Sequence, residues 1–180
     1  LTWMDGKTRE LLDVFVRLMS PATTLTHAEI SGNIFFFLKE YIRRNNGKCK
    51  TYAAPFDVRL PKKPEDVSND KIYTVVQPDI CIGCDESKLD ERGCLGAQDM
   101  VVEILSLSSQ KYDLNEKFNL YEAAGVKEYW VVTPKEKAVT VFILQDNGKY
   151  DNGAIFEKEM EISVKTLSGL TLITSEIFPD

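Results

Sequence analysis

The sequence predicts an α/β (α+β) fold, in which a mixed β-sheet core is flanked by two main helices. Helical periodicity is confined to two stretches, 26–45 and 113–125, and strand-like segments lie before, between and after them. The 180 residues fit a single domain, 1–180, with one hydrophobic core. A core of that size can stabilise a fold without disulfides or a structural metal.

The N-terminal half should contain the first helix and several short strands. Residues 9–19 are typical of one or two strands. In the stretch 26–45, apolar residues recur at helical spacing and an Asn-Asn-Gly sequence marks the end of the helix. Strands are predicted at 48–60 and 72–84, where Pro78 indicates an edge, a bulge or a strand start.

The C-terminal half begins with a glycine-containing loop at 85–98 and a nearly continuous apolar strand at 100–105. The second helix opens on an Asp-x-x-Glu sequence at Asp113, close to a capping box, and stops at Gly125. Asn147-Gly148 predicts a hairpin turn. The remaining strands are predicted at 128–133, 139–145, 161–164 and 170–173.

Overall charge argues against nonspecific attraction to nucleic acid. The chain has 22 basic and 28 acidic residues, a net charge of -6, so a nucleic-acid role must depend on local features. Two clusters could face phosphates or could be ordinary solvated surfaces. They consist of Lys39, Arg43, Arg44, Lys48 and Lys50, and of Arg59, Lys62 and Lys63.

Nothing in the sequence predicts a membrane protein. The longest apolar runs are far shorter than the roughly 20 residues that span a bilayer. The opening residues lack the pattern of a signal peptide. The four cysteines are too few for a disulfide framework, which favours a reducing compartment, so we expect a cytoplasmic protein.

Two carboxylates in strands are the residues that most strongly suggest chemistry, because a charge buried in a sheet needs a partner or a cation. Asp79 follows Pro78, and Glu103 lies within the apolar strand at 100–105. Two strands joined by one loop could bring them side by side, where Mg²⁺ would relieve their repulsion. The alternative is that Asp79 caps a turn and Glu103 forms a buried ion pair.

Several motifs in the same order resemble the bacterial Uma-two family of restriction-endonuclease-like proteins, a branch of the PD-(D/E)XK nuclease superfamily. The resemblance covers most of the chain. It is carried by Arg9-Glu10-Leu11-Leu12-Asp13, Met19-Ser20-Pro21, His27, Gln77-Pro78-Asp79, Val102-Glu103-Ile104-Leu105-Ser106, Asp113-Leu114-Asn115-Glu116-Lys117, Tyr121, Gly125 to Val132 and Ile177-Phe178.

This resemblance implies a restriction-endonuclease-like core with additional N- and C-terminal strands, and a Mg²⁺-dependent cleavage of DNA phosphodiester bonds in which Mn²⁺ could substitute. Asp79 and Glu103 would bind the metal, with the carbonyl of Ile104 completing the coordination. The superfamily lysine two residues after the second carboxylate is replaced by Leu105. Its role is expected to fall to Lys117 on the following helix.

Further residues are implied as accessories. Glu10 matches an N-terminal glutamate that can add a third carboxylate, although Val14 and Phe15 depart from the family nearby. Lys111 is the reserve for Lys117, and Tyr121 would share its helix face. The single histidine, His27, is expected to be structural or to face the substrate. Cutting both strands of DNA requires two sites, which favours a homodimer.

Two other interpretations stay open at this point. The same fold could carry a catalytically inactive site and act in protein interaction or self-association; the acidic pI and Leu105 favour that alternative. Cys81, Cys84 and Cys94 offer three thiols for zinc, with His27 or an outside ligand as the fourth. Strand alternation counts against zinc, because it turns Cys81 and Cys84 to opposite faces.

Overall fold

A computed structural model of the protein describes residues 9–13, 15–18, 24–62, 72–106 and 113–179. Its helices are α1 (Leu25–Arg44), α2 (Phe118–Ala124) and α3 (Thr174–Ile177). A 3-10 turn covers Glu86–Lys88, and a π-helical turn, Asp113–Lys117, leads directly into α2. The strands of the first half are β1 (Arg9–Leu12), β2 (Phe15–Leu18), β3 (Lys50–Ala53), β4 (Val58–Leu60), β5 (Thr74–Val76), β6 (Ile80–Gly83), β7 (Leu89–Asp90) and β8 (Gly93–Leu95). Those of the second half are β9 (Met100–Ile104), β10 (Glu128–Thr133), β11 (Ala138–Ile143), β12 (Ala154–Glu157), β13 (Glu161–Ser163) and β14 (Thr171–Ile173).

The described strands form two six-stranded sheets and one two-stranded sheet. The central sheet has the order β12-β11-β10-β9-β6-β3, and the second sheet has the order β2-β1-β5-β4-β8-β7. The central sheet is mixed, because β9 and β10 run parallel while β6 and β9 run antiparallel. The two-stranded sheet pairs β13 with β14.

The two faces of the central sheet support different layers. On one face, the buried stripe of α1 formed by Ile30, Ile34 and Leu38 packs against alternate residues of β6 and β9. On the other face, Val101 and its neighbours pack against the second sheet and against Tyr121 of α2. This alternation decides on which side of the sheet any residue of β6 or β9 lies.

The interior of α1 gives a stability prediction. Ile34→Ala should lower the free energy of unfolding by about 2–5 kcal/mol, because Ile34 is fully buried and truncation leaves a cavity. Urea denaturation followed by tryptophan fluorescence measures the change. Ile155→Ala on the exposed strand β12 is the control and should shift stability by no more than about 0.5 kcal/mol. An equal loss in both variants would contradict this packing.

The predicted fold class is confirmed, while the number of sheets and some element boundaries differ. The strand predicted at 72–84 is two strands, because the chain leaves the second sheet after β5 and enters the central sheet at β6. Pro78 lies at this crossing, where its missing N–H costs the sheets no ladder hydrogen bond. The loop predicted at 85–98 instead contains the 3-10 turn, β7 and β8, which are too short for a clear period-2 pattern.

One disulfide was not predicted. Cys49 and Cys84 are bonded, with their Cα atoms 3.9 Å apart, since Lys50 and Gly83 are paired in antiparallel register immediately beside them. Cys84 therefore cannot supply a thiolate for zinc, and the zinc alternative is wrong. Cys81 and Cys94 are buried free thiols, and burial raises the pKa of Cys94 to about 11. Across the described residues, no helix has the length and apolar character needed to cross a membrane.

Candidate active site

Asp79 and Glu103 occupy neighbouring backbone positions beside the pairing of β6 with β9. Ile80 pairs with Val102 in the antiparallel register of β6 and β9, so Asp79 directly precedes the pair and stands opposite Glu103. Glu103 lies on the α2 side of the sheet, because it is two residues from Val101 in β9, whereas Asp79 lies one residue before β6. Asp79 Oδ2 accepts a hydrogen bond of 2.7 Å from the backbone N–H of Ile104, the residue after Glu103. The local strand pairing thus brings the two predicted carboxylates together.

Lys117 reaches Glu103 from the end of the π-helical turn before α2. Lys117 Nζ lies 2.8 Å from Glu103 Oε1, and both side chains are almost fully buried. Tyr121, one helical turn later, donates a hydrogen bond of 2.7 Å from its hydroxyl to the same oxygen. π-helical turns are frequent at functional sites, and here the turn delivers Lys117 to the sheet just as α2 begins. Glu103 Oε1 consequently accepts hydrogen bonds from an ammonium group and a phenol.

Glu10 enters the site from the second sheet, on strand β1. Its Oε1 accepts a hydrogen bond of 3.0 Å from the backbone N–H of Gln77, which lies between β5 and Asp79. The same oxygen lies 2.9 Å from Lys117 Nζ. Lys117 therefore bridges Glu10 and Glu103, so its ammonium joins a carboxylate of one sheet to a carboxylate of the other.

His27 contacts the site from the opposite layer, on the first turn of α1. Its Nε2 lies 3.2 Å from Asp79 Oδ1, and this hydrogen bond raises the pKa of His27. Its Nδ1 is buried, with no hydrogen-bond partner among the described residues. Both oxygens of Asp79 are held, one by Ile104 and one by His27, which fixes the plane of the carboxylate at the end of β6.

The electrostatics of the cluster favour added positive charge. The described side chains at the site include three carboxylates, Glu10, Asp79 and Glu103, and two basic groups, Lys117 and His27. Burial and the charge of Glu103 raise the pKa of Tyr121 well above its usual range, so this phenol keeps its proton and acts as a donor. A divalent cation would therefore enter a net-negative, oxygen-rich cluster.

The donor set suits Mg²⁺ in its chemistry. Mg²⁺ prefers oxygen ligands and commonly binds through one or two carboxylates while keeping several waters. Asp79 and Glu103 would provide two such carboxylates, and Asp79 retains some exposure, 19% of its side chain. In the parts of the chain that the structure describes, no three His, Cys, Asp or Glu side chains are grouped to hold a metal. A two-carboxylate site with water ligands needs no such group.

The structure brings together most of the residues that the sequence singled out. Glu103, Lys117, Tyr121 and Glu10 form one cluster of contacting side chains, and Asp79, which is paired with His27, adjoins it through the backbone of Ile104. Two contacts were not foreseen from the sequence. They are the bridge from Glu10 to Lys117 and the pairing of His27 with Asp79. Lys111 lies outside the described residues.

Another buried glutamate shows why burial alone does not identify a site. Glu128, at the start of β10, is 1% exposed and accepts hydrogen bonds from Trp130 Nε1 and from the backbone N–H groups of Lys165 and Thr166. These donors satisfy the carboxylate and tie the segment after β13 to the central sheet. Glu128 therefore has a structural role, in contrast to the carboxylates around Lys117.

Comparisons with known proteins identify the family of the chain and support its fold. A family model described as "Putative restriction endonuclease" matches residues 5–175. The chain is also similar to a crystal structure of "a putative nuclease belonging to DUF820" from Anabaena variabilis ATCC 29413, with a TM-score of 0.75 and 17% sequence identity over 96% of this chain and 90% of that one. At this identity the likeness shows the fold. No curated protein is significantly similar to the chain.

Proposed function

Because the chain belongs to the Uma2 family, whose model is described as "Putative restriction endonuclease", we propose that it is a Mg²⁺-dependent endonuclease that hydrolyses DNA phosphodiester bonds. The observation that carries this proposal is the cluster in which Asp79 and Glu103 stand opposite each other and Lys117 contacts Glu103 at 2.8 Å. Two carboxylates can hold a divalent cation, and an ammonium can stabilise the negative charge that develops during phosphodiester hydrolysis.

Asp79 and Glu103 are the proposed metal ligands, with the backbone carbonyl of Ile104 as a third. Mg²⁺ bound there would supply Lewis-acid activation of the phosphate and of water, and Mn²⁺ could replace it. The hydrogen bonds that Asp79 accepts from Ile104 and His27 hold its carboxylate in place. Lys117 and Tyr121 fix the orientation of the Glu103 carboxylate. Glu10 is proposed to orient the ammonium of Lys117 toward the site. To serve as an additional metal ligand, Glu10 would have to give up its contact with that ammonium.

In the proposed reaction, the oxygen of a water molecule bonds to phosphorus, and the bond between phosphorus and the leaving sugar oxygen breaks. The attacking water loses a proton to solvent, and the leaving oxygen gains one. Lys117 stabilises the negative charge that develops on the phosphate oxygens, or orients the attacking water. Its position between Glu10 and Glu103 holds the ammonium in place before the substrate arrives.

Supercoiled plasmid DNA tests this proposal directly. Nicked or linear DNA should form with Mg²⁺ or Mn²⁺ and should not form with EDTA. A linear product at early times would fit a homodimer with two sites, which sedimentation of the protein at assay concentration can check. Absence of cleavage under all these conditions, with the chain folded, would leave the inactive interaction module as the better interpretation.

His27 should act as a positioning residue for Asp79. His27→Ala should weaken Mn²⁺ binding by about tenfold, because Asp79 loses the donor on Oδ1 that fixes its carboxylate. His27→Gln, which keeps an N–H donor at a similar reach, should restore much of the affinity. Calorimetric titration of the DNA-free protein with Mn²⁺ gives the dissociation constants. Equal affinities in wild type and His27→Ala would show that the contact with His27 does not prepare the carboxylate.

A further inference from the structure

The hairpin formed by β1 and β2 ends in two exposed apolar side chains. Phe15 is 77% exposed and Val16 is 46% exposed. Both begin β2, directly after the turn, and the hairpin forms the edge of the second sheet. Single exposed apolar side chains are ordinary on protein surfaces, so the position of Phe15 relative to the site, and not its exposure alone, suggests a partner.

The tip points to the same side of the hairpin as the active-site carboxylate. Glu10 and Leu12 are two residues apart in β1 and share a face, and Phe15 is paired directly with Leu12. Phe15 therefore belongs to the face that carries Glu10 to Lys117. From Glu10, Phe15 lies two residues along β1 and one strand across, so their Cα atoms are separated by roughly 8–9 Å.

The surroundings of the tip are compatible with a polyanion. The turn contains Asp13, whose Oδ1 lies 2.9 Å from Lys62 Nζ. The charge of this carboxylate is therefore balanced by a neighbouring lysine. Lys62 Nζ also lies 5.8 Å from the centroid of the Tyr73 ring. A cation and a second aromatic ring thus accompany Phe15 on this edge. Lysines and aromatic rings together are typical of surfaces that bind nucleic-acid backbone and bases.

We propose that Phe15 is a wedge that enters the base stack of duplex DNA close to the phosphodiester held at Glu103. Apolar side chains inserted between base steps unstack and kink the duplex. This inference rests on the proposed action on DNA and adds how the substrate is held. Lys62 contacts the backbone beside the opened step.

The small apolar area exposed at the tip favours a DNA base step, and not a second copy of the chain, as its binding partner. A stable protein interface buries about 800 Å² on each partner. A single aromatic side chain buries only about 150–250 Å². The side chains at the end of this narrow turn fall well short of a dimer interface, whereas a single apolar side chain is enough to enter one base step.

Plasmid topology tests the wedge without knowledge of any preferred sequence. Relaxed closed-circular plasmid is incubated with saturating protein in Ca²⁺ buffer, treated with a metal-independent topoisomerase I, and deproteinised. Wild type should leave the plasmid with a lowered linking number, because a wedge unwinds the duplex. Phe15→Ser should abolish that shift and weaken binding to a mixed-sequence duplex by about tenfold, measured by fluorescence polarisation. Phe36→Ser, which removes another exposed phenylalanine, on α1 and 59% exposed, should change neither quantity.

The outcomes separate this inference from the proposed function. If the protein cleaves plasmid in Mg²⁺ yet leaves the linking number unchanged in Ca²⁺, the wedge is overturned and the endonuclease stands. Unwinding that depends on Phe15 in a protein that never cleaves would overturn the endonuclease and retain the wedge. If Phe15→Ser alters the sedimentation coefficient and leaves DNA binding unchanged, the tip serves a second copy of the chain and the wedge is wrong.

Discussion

Lys117→Met should lower Mg²⁺-dependent plasmid cleavage by roughly 10²–10³-fold, the usual effect of removing one group that stabilises transition-state charge. The ammonium of Lys117 lies 2.8 Å from Glu103 and 2.9 Å from Glu10, so its position is already set in the protein without substrate. Initial rates of nicking, compared at equal protein concentration, measure the change. Lys117→Arg keeps the charge but changes the geometry, and we expect it to retain only part of the activity.

A structural role of Lys117 must be distinguished from a catalytic one. Removing one member of a buried ion cluster typically costs about 3–5 kcal/mol, so Lys117→Met should also be less stable. The double variant Glu10→Gln with Lys117→Met removes one carboxylate along with the ammonium and should recover part of that stability. If cleavage returns with stability, the role of Lys117 is structural and the assignment is wrong.

Lys127→Met is the matched control for Lys117→Met. Lys127 is also paired with a carboxylate, since its Nζ lies 2.7 Å from Asp99 Oδ1, but its side chain is 72% exposed and lies at the other end of β9. Exposed ion pairs contribute about 0–1 kcal/mol. We therefore expect normal stability and normal cleavage. A comparable loss of cleavage in this variant would show that loss of any lysine weakens DNA binding, without a specific role for Lys117.

Much of the placement of these residues could be predicted from the sequence because it depends on local patterns. A single carboxylate within an apolar strand marks Glu103, and Pro78 marks the strand boundary at which Asp79 lies. Helical spacing places Lys117 and Tyr121 on one face, and both reach Glu103. The roles of these residues in catalysis remain predictions that the variants above test.

The remaining contacts depend on tertiary structure, which leaves no recognisable pattern in a short stretch of sequence. Glu10 meets Lys117 only because the second sheet packs on the α2 side of the central sheet. The disulfide between Cys49 and Cys84 depends on the register of β3 with β6, which are separated by the whole of β4 and β5. The sequence predicts an ordinary capped helix start at Asp113–Lys117, where the structure has a π-helical turn. No residue pattern in this segment distinguishes a π-helical turn from an α-helical one.

Asp79→Asn and Glu103→Gln should each abolish both cleavage and the stabilisation of the protein by Mn²⁺. A metal that binds only the folded state at 100 times its dissociation constant stabilises by about 2.7 kcal/mol. For a chain of this length that corresponds to a rise in Tm of roughly 5–10 °C. The amides keep the size of the carboxylates and can still accept hydrogen bonds, including the bond from the Ile104 N–H to position 79. They lose the negative charge that a divalent cation needs.

Thermal unfolding in EDTA and in Mn²⁺ measures this stabilisation without DNA. Asp99→Asn is the matched control, because Asp99 directly precedes β9 as Asp79 precedes β6, and it likewise accepts a backbone hydrogen bond, 2.8 Å from the Cys84 N–H. It should keep the full rise in Tm with Mn²⁺ and normal cleavage. If Asp79→Asn and Glu103→Gln kept that rise, the ion would bind elsewhere. Glu103 would then serve only the buried ion-pair network with Lys117 and Glu10, and a hydrolytic role for this edge of the sheet would have no physical basis.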